Sequence, residues 1–196
     1  MACSRQIRIR VFTYVLVKRR HDETVLPCRC VFRLKADGTY KARLVVKEFM
    51  EQKGIDYTDI FAPVVRLEVL RFLFALVAIH YLECGQMDVK TVFLNDKIDC
   101  FIRMEQPPGS LIDPMSRRDY VCLLQKSLYG LKQAPHFWYW TFVTFMVSLA
   151  FARLQKDRCV FLKASDDGFT IVSICVDDIL IITPNKALAT DLKASL

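Results

Sequence analysis

Histidine is scarce in this sequence, which contains three, and none of its eight cysteines lies in a C-x-x-C pair. Structural zinc sites are usually built from closely spaced cysteine and histidine ligands, so the sequence does not predict a zinc-binding domain. Internal repeats and low-complexity segments are also missing, which argues against a repeat architecture. Several cysteines lie in apolar stretches, where we expect them to be small buried hydrophobic residues.

No apolar run is long enough to predict a membrane helix. The most apolar segment, residues 137–152, is shorter than the roughly 20 residues that a span requires, and its Trp, Tyr, Thr and Ser content favours a buried helix. The arginine-rich N-terminus lacks a clean apolar segment and a small-residue cleavage site, so no secretory signal is predicted. We therefore expect an intracellular protein, cytoplasmic or nuclear, in a reducing compartment and without a membrane partner.

Positive charge is concentrated at the start of the chain. The net charge is +7 over 196 residues, but residues 1–50 carry +8 and residues 51–196 carry −1. Such an asymmetry predicts a contact with a polyanion, for which Lys18, Arg19 and Arg20 are candidates, although a solvated basic face explains it as well. At 53% hydrophobic residues, the chain is able to bury the core of one domain, with or without a subdomain.

Two adjacent carboxylates, Asp177 and Asp178, interrupt the apolar stretch F-T-I-V-S-I-C-V-D-D-I-L-I-I-T at residues 169–183. Each apolar run has the length of a strand, which predicts a hairpin with a turn at residues 176–178. Aspartate is also a common turn residue, and this ordinary interpretation stays open. Beside two buried strands, however, two ionised carboxylates repel each other and lose solvation, which favours divalent cations as their partners.

Asp88 is a third candidate, because it also ends a short apolar stretch. Mg²⁺ binds a few carboxylate oxygens together with water and substrate phosphates. Two such ions, about 3.5–4 Å apart, activate the attacking oxygen and stabilise the leaving oxygen in phosphoryl transfer. The sequence thus predicts a two-metal site at Asp88, Asp177 and Asp178, with Mg²⁺, or alternatively Mn²⁺, as the cofactor.

Six motifs together resemble the reverse transcriptase of Ty1/copia-type retrotransposons. In chain order they are K-A-R-L-V at 41–45, G-I-D-Y-T-D-I-F-A-P-V-V at 54–65, Q-M-D-V-K-T-V-F-L-N at 86–95, M-E-Q-P-P-G at 104–109, S-L-Y-G-L-K-Q-A-P at 127–135 and V-D-D at 176–178. They occur in the family's order over about residues 26–193. The resemblance implies an RNA-directed DNA polymerase that uses an RNA template, a DNA primer and deoxynucleoside triphosphates.

The resemblance also implies roles for residues outside the aspartates. Lys41 and Arg43 would contact the triphosphate, in keeping with the affinity of ammonium and guanidinium groups for phosphate. Phe93 would block the 2′-hydroxyl of a ribonucleotide, although an ordinary core phenylalanine is the alternative. Tyr129 would stack on a base, and Gly130 would let the backbone approach a ligand closely.

Lys132 would contact a phosphate.

The implied localisation is a cytoplasmic virus-like particle if the element is active. The remaining polyprotein domains, including the thumb of the polymerase, are expected to be missing from this chain.

The order of predicted elements gives an α+β fold. Within residues 26–196 we expect a partial palm, with an antiparallel sheet and helices on one face, and a β-rich fingers subdomain. Residues 1–25 are a basic N-terminal segment that does not match the family. Strands are predicted at 7–17, 29–35, 40–47, 98–104, 120–124 and 159–163, and helices at 64–82, from about Pro135, and after a cap at Asn185. The apolar stripe of the first helix is predicted to be core, at Leu67, Leu70, Phe74, Val77, Ala78 and Tyr81.

Several positions depart from the family pattern, namely Cys30, Glu48, Val92, His136, Trp140, Ala150 and Cys175. The hairpin before K-A-R-L-V is also shorter than usual. These departures motivate a second hypothesis, a decayed retrotransposon remnant that at most binds nucleic acid. A two-metal nuclease is a third, weaker hypothesis, which the motif order disfavours.

Overall fold

The computed structural model describes residues 13–21, 23–54, 57–96, 98, 100–109, 119–166 and 168–196. In chain order, the elements within these ranges are β1 (Tyr14–Lys18), β2 (Cys28–Leu34), β3 (Tyr40–Val46), α1 (Leu67–His80), β4 (Glu83–Asp88), β5 (Arg103–Met104), β6 (Tyr120–Leu124), α2 (Ala134–Ser148), β7 (Ala152–Arg153), β8 (Val160–Ser165), β9 (Gly168–Cys175), β10 (Asp178–Thr183) and α3 (Lys186–Ser195). The strands pair antiparallel, so the α+β prediction is confirmed at that level.

The chain divides into two compact units. The first comprises the described residues up to Phe61 together with Phe93–Trp138, and the second comprises Ala62–Val92 together with Tyr139–Leu196. The first unit contains a three-stranded sheet, in the order β1-β6-β5, and the separate β2–β3 hairpin. Its buried core includes Leu26, Val46, Met104, Cys122 and Leu128. The prediction that some cysteines are buried is therefore confirmed at Cys122.

The β2–β3 hairpin turns where the sequence predicts it, at Asp37-Gly38. Gly38 has a φ of 80°, in the left-handed region that glycine tolerates without steric cost. The Asp37 Oδ1 atom accepts a hydrogen bond from the Thr39 amide at 2.9 Å. This bond to the ionised form lowers the pKa of the Asp37 carboxyl.

The second unit is built on a five-stranded sheet in the order β4-β10-β9-β8-β7. The central strands, β9 and β10, are mostly buried, as their lack of polar alternation predicts. The start of α1 is fixed by Asp157, whose carboxylate accepts hydrogen bonds from the backbone amides of Arg66 and Cys159. The predicted cap of α3 is confirmed, because the Asn185 Oδ1 atom accepts from the Leu188 amide at 3.0 Å.

The predicted core stripe of α1 is wrong at most of its positions. Leu73 is the buried residue of this helix, and Leu67, Phe74 and Ala78 are exposed. Tyr81 lies beyond the helix, with a left-handed φ of 52°. The inward residues are spaced at 69, 70, 73, 76 and 77, another stripe with helical spacing. Because apolar residues occupy most turns of α1, the 3.6-residue period fits more than one face and does not select the buried one.

Two predicted strands also differ from the structure. Among the described residues of the segment 98–104, only Arg103–Met104 form a strand, which pairs with β6. Residues 7–12 of the first predicted strand lie outside the described ranges, and β1 runs from Tyr14 to Lys18. By contrast, β6 has the predicted bounds, and α2 begins at Ala134, next to the predicted Pro135. Among the described residues, no helix is both long and apolar enough to cross a membrane.

Candidate active site

The two carboxylates Asp88 and Asp178 are direct partners across neighbouring strands. Strand β10 lies between β9 and β4, and Asp178 pairs with Cys175 on one side and with Asp88 on the other. Directly opposed residues of antiparallel strands project from the same face, with Cβ atoms roughly 5 Å apart. The sheet register therefore brings these two carboxylates to one face, although they are far apart in sequence.

Asp177 is joined to the same place through the backbone. Its carbonyl oxygen accepts a hydrogen bond from the amide of Val89, the residue after Asp88, at 2.9 Å. This bond extends the β4–β10 pairing by one step past the last strand pair. All three aspartates thus lie at the end of the sheet where the β9–β10 hairpin turns.

Two of the three aspartates are exposed to solvent. Asp88 and Asp178 are exposed and Asp177 is half-buried, whereas the strands behind them are buried. The expected loss of solvation is therefore wrong at Asp178, which projects from the end of the sheet and not from its packed centre, whereas Asp177 is partly removed from solvent. Repulsion between the neighbouring charges is the effect that remains.

The oxygen donors suit a hard divalent cation, but they do not form a closed cluster. Among the described residues, no three His, Cys, Asp or Glu side chains lie close enough to hold a metal ion together. The Asp178 Oδ1 atom instead accepts a hydrogen bond from Gln86 Nε2 at 2.8 Å. In the described part of the chain, Asp88 and Asp178 form no ion pair with lysine or arginine. Their negative charge is thus available to a cation.

The turn of the β9–β10 hairpin carries backbone strain. Val176 has a φ of 55°, and a β-branched residue is rare in the left-handed region. Such a conformation costs on the order of 1–3 kcal/mol and persists where the surroundings enforce it. Here the β10 pairings on both sides hold the turn, so the strain is retained directly beside Asp177.

Four cationic side chains surround a concavity on the β2–β3 hairpin. The cavity of about 320 Å³ is lined by Arg33, Lys35, Lys41 and Arg43, with Leu34 and Ala36. Arg33 pairs directly with Lys41 across the hairpin. Lys41 and Arg43 were predicted from the sequence, whereas Arg33 and Lys35 were not. Arg33 lies on β2 opposite Lys41, and Lys35 follows two residues later, just past the end of β2; this spacing is the signal that would have indicated them.

The ring of Tyr129 connects two other predicted site residues of the first unit. The Arg43 guanidinium lies over this ring, 5.6 Å from its centroid, and Phe93 meets it edge to face at 5.2 Å. Phe93 lies in a short 3-10 helix, Val92–Asn95, and packs against the core of the first unit. The structure thus brings Arg43, Phe93 and Tyr129 together.

Gly130 is required by a close backbone approach. It has a φ of 90°, and a Cβ atom at this position would overlap the Val46 carbonyl oxygen. The neighbouring Tyr129 carbonyl accepts a hydrogen bond from the Val46 amide at 2.9 Å. The loop is therefore docked on β3, and the close partner of Gly130 is this strand.

Lys132 is anchored within its own unit. Its amide donates to Glu51 Oε2 at 2.9 Å, its Nζ atom donates to the Glu51 carbonyl at 3.3 Å, and the ammonium lies 5.2 Å from the Tyr57 ring centroid. The predicted basic segment, Lys18, Arg19 and Arg20, is exposed at the end of β1. Arg20 is within 3.6 Å of Glu23, which contacts Arg103 at 2.7 Å.

Most of the chain matches a known protein family. Residues 11–196 match the family described as "Reverse transcriptase (RNA-dependent DNA polymerase)". The match begins ahead of the first recognised motif, and it includes β1.

Curated relatives are polyproteins of transposons. The chain is 44% identical over 190 residues to the "Retrovirus-related Pol polyprotein from transposon TNT 1-94" of Nicotiana tabacum, covering 94% of this chain and 14% of the relative. It is 36% identical over 163 residues to the Pol polyprotein from transposon RE2 of Arabidopsis thaliana, covering 81% of this chain and 11% of the relative. The chain therefore spans a small part of the length of these relatives.

Proposed function

The chain belongs to the reverse transcriptase family, as a domain of a Ty1/copia-type retrotransposon Pol polyprotein, and from this we propose that it carries out two-metal nucleotidyl transfer at Asp88, Asp177 and Asp178. The observation that carries the proposal is the pairing of Asp178 with Asp88 at the hairpin that also presents Asp177. Two segments that are distant in sequence, the end of β4 and the turn that leads into β10, contribute the three carboxylates at one end of the same sheet.

The aspartates fit the metal that this chemistry needs. Their oxygen atoms are hard ligands, they are accessible to solvent, and no lysine or arginine of the described residues neutralises Asp88 or Asp178. Mg²⁺ or Mn²⁺ held there would supply charge neutralisation at the attacking and leaving oxygens.

The proposed reaction needs no protein nucleophile. The 3′-hydroxyl oxygen of a DNA primer attacks the α-phosphorus of a deoxynucleoside triphosphate, a new P–O bond forms, and the bond to the pyrophosphate leaving group breaks. The protein positions the reactants, with an RNA strand as the template. The other domains of the polyprotein are further proposed partners.

The β2–β3 hairpin is the proposed fingers element, and its cations are the proposed triphosphate ligands. Arg33 and Lys35 join Lys41 and Arg43 around one concavity, which concentrates positive charge for a polyanionic ligand. Phe93, supported by Tyr129, is the proposed barrier to a ribose 2′-hydroxyl. The five-stranded sheet with the aspartates is the proposed palm.

A decayed remnant that binds nucleic acid without catalysis is the second candidate. The specific observation in its favour is Ala150, which has a left-handed φ of 64° where the family usually has glycine. Replacement of a favourable glycine is the kind of change that accumulates when stability is no longer selected. Cys175, which precedes V-D-D in place of the usual tyrosine, is a second such departure.

Primer extension tests the proposal directly. The chain is incubated with a DNA primer annealed to an RNA template, deoxynucleoside triphosphates and Mg²⁺. Asp177→Asn is expected to reduce extension by roughly 10²-fold or more, because loss of a metal ligand misplaces the reacting groups. Asp166→Asn, an exposed aspartate in the β8–β9 turn, is the matched control and should leave extension unchanged. Because the thumb is expected to be missing, the same chain fused to a thumb of the family is assayed beside it. Binding of the primer–template with no extension by either form would favour the remnant.

A further inference from the structure

Gln86 contacts the aspartate cluster without belonging to it. It lies on β4 two residues before Asp88, so both side chains project from the same face of the sheet. Its Nε2 atom donates a hydrogen bond to Asp178 Oδ1 at 2.8 Å, diagonally across the two strands. A side chain of β4 thus holds a carboxylate of β10.

The chemistry of this donor matters as much as its position. Asp88 and Asp178 face each other in register, so their carboxylates repel each other unless something intervenes. A neutral amide fixes one carboxylate oxygen by a hydrogen bond but leaves the net charge of the pair intact. Lysine or arginine in this place would form an ion pair with Asp178 and compete with a divalent cation.

We propose that Gln86 is a positioning residue, which fixes the Asp178 carboxylate in an orientation that receives a hard divalent cation together with Asp88. The inference rests on the proposed metal site at the three aspartates. Partners that orient metal ligands typically contribute about 10–100-fold to metal affinity. Because Gln86 is exposed, we expect its replacement to change metal affinity more than folding stability.

Mn²⁺ binding to the full chain provides the test, with free Mn²⁺ measured by its electron paramagnetic resonance signal. Gln86→Met keeps the approximate size of the side chain but removes the donor, and is expected to weaken Mn²⁺ binding by about 10-fold. Gln86→Lys should weaken it further by ion pairing with Asp178. Gln125→Met makes the same exchange at an exposed glutamine of the other unit and should bind Mn²⁺ like the unmodified chain.

The outcomes separate this inference from the function on which it rests. Unchanged affinity in Gln86→Met, with affinity lost in Asp88→Asn, would overturn the role of Gln86 and leave the metal site standing. Unchanged affinity in Asp88→Asn would overturn both. The melting temperature of each metal-free variant is recorded alongside. If Gln86→Met melts at a lower temperature than the unmodified chain, Gln86→Thr replaces it, because threonine favours a strand but is too short to reach Asp178.

Discussion

Phe93 meets the ring of Tyr129 edge to face, with the ring centroids 5.2 Å apart. The contact joins a segment just after Asp88 in sequence to the S-L-Y-G loop. The Arg43 guanidinium lies over the Tyr129 ring. Tyr129 is therefore engaged by its own unit, which limits its freedom to stack on a base. Its ring acts as a support for the neighbouring side chains.

Sugar discrimination should depend on this aromatic contact. In a chain that extends primers, Phe93→Ala should raise the incorporation of ribonucleotides relative to deoxynucleotides, because the bulk that opposes a 2′-hydroxyl is removed. Tyr129→Leu should shift the ratio in the same direction but less. The ratio is measured in competing single-nucleotide additions, with Phe93→Tyr as the control that keeps the ring. An unchanged ratio in Phe93→Ala, with activity retained, would make Phe93 an ordinary core residue.

Divalent cations should stabilise the folded chain. Repulsion among the three carboxylates is relieved when a cation binds, and binding to the folded state alone contributes about 2.7 kcal/mol at 100 times the Kd. Thermal melting with and without Mg²⁺ or Mn²⁺ measures the effect. The double variant Asp88→Asn/Asp177→Asn should lose the shift. A shift of equal size in this variant would place the stabilising cation elsewhere.

Nucleic-acid affinity should depend on salt through the basic segment. Replacing Lys18, Arg19 and Arg20 with glutamine should reduce the slope of log affinity against log salt by roughly 2–3, because fewer counterions are released from phosphates. Fluorescence anisotropy over a range of NaCl concentrations gives the slope. The matched control replaces Lys156, Lys186 and Lys193, which are exposed residues of the other unit. A slope that stays the same in the first variant and falls in the control would show that the second unit, and not Lys18, Arg19 and Arg20, binds the nucleic acid.

Ala150→Gly should stabilise the protein. The end of α2 forms a paired cap, in which the Ala150 amide donates to the Val147 carbonyl and the Phe151 amide donates to the Met146 carbonyl. This geometry holds Ala150 at a φ of 64°, where a Cβ atom is unfavourable. We expect a gain of about 1 kcal/mol in the free energy of unfolding, measured by urea denaturation. Ala189→Gly, within α3, should instead destabilise the chain.

Cysteine alkylation should follow burial. Burial raises the pKa of the Cys122 and Cys159 thiols to about 12. At pH 8 only about one part in 10⁴ of each would be thiolate, so both should resist iodoacetamide in the folded chain. Cys84 is exposed and should react ahead of them, although partial burial also raises the pKa of its thiol. Mass spectrometry of the labelled peptides identifies the sites, and all cysteines should react in urea.

Local signals in the sequence are sufficient for several elements. The Asp37-Gly38 turn, the bounds of β6 and the Asn185 cap follow from turn chemistry, apolar patterning and capping, which act over a few residues. The three aspartates were predicted from their position beside apolar runs, and the resemblance supplied the proposed roles of Lys41, Arg43, Phe93, Tyr129, Gly130 and Lys132. These features need no knowledge of distant segments.

Long-range relationships were not accessible in the same way. The register that sets Asp178 beside Asp88, the bond from Gln86, and the anchoring of Lys132 by Glu51 all join residues far apart in the chain. The buried face of α1 depends on what packs against it, because its apolar residues surround most of the helix. Tertiary packing decides such features, and the pattern of a single segment does not contain it.

Both units are discontinuous in sequence, and this has a consequence for synthesis on the ribosome. Strand β1 finds its partner β6 only after roughly 100 further residues have been translated, a delay of roughly 5–20 s at ordinary elongation rates. The β2–β3 hairpin, by contrast, pairs neighbours in sequence and is able to form at once. Strand β1 of the first unit therefore stays unpaired until β6 has been synthesised. In the second unit, Asp88 and Asp178 come together only after β10, nearly the last element described, has emerged.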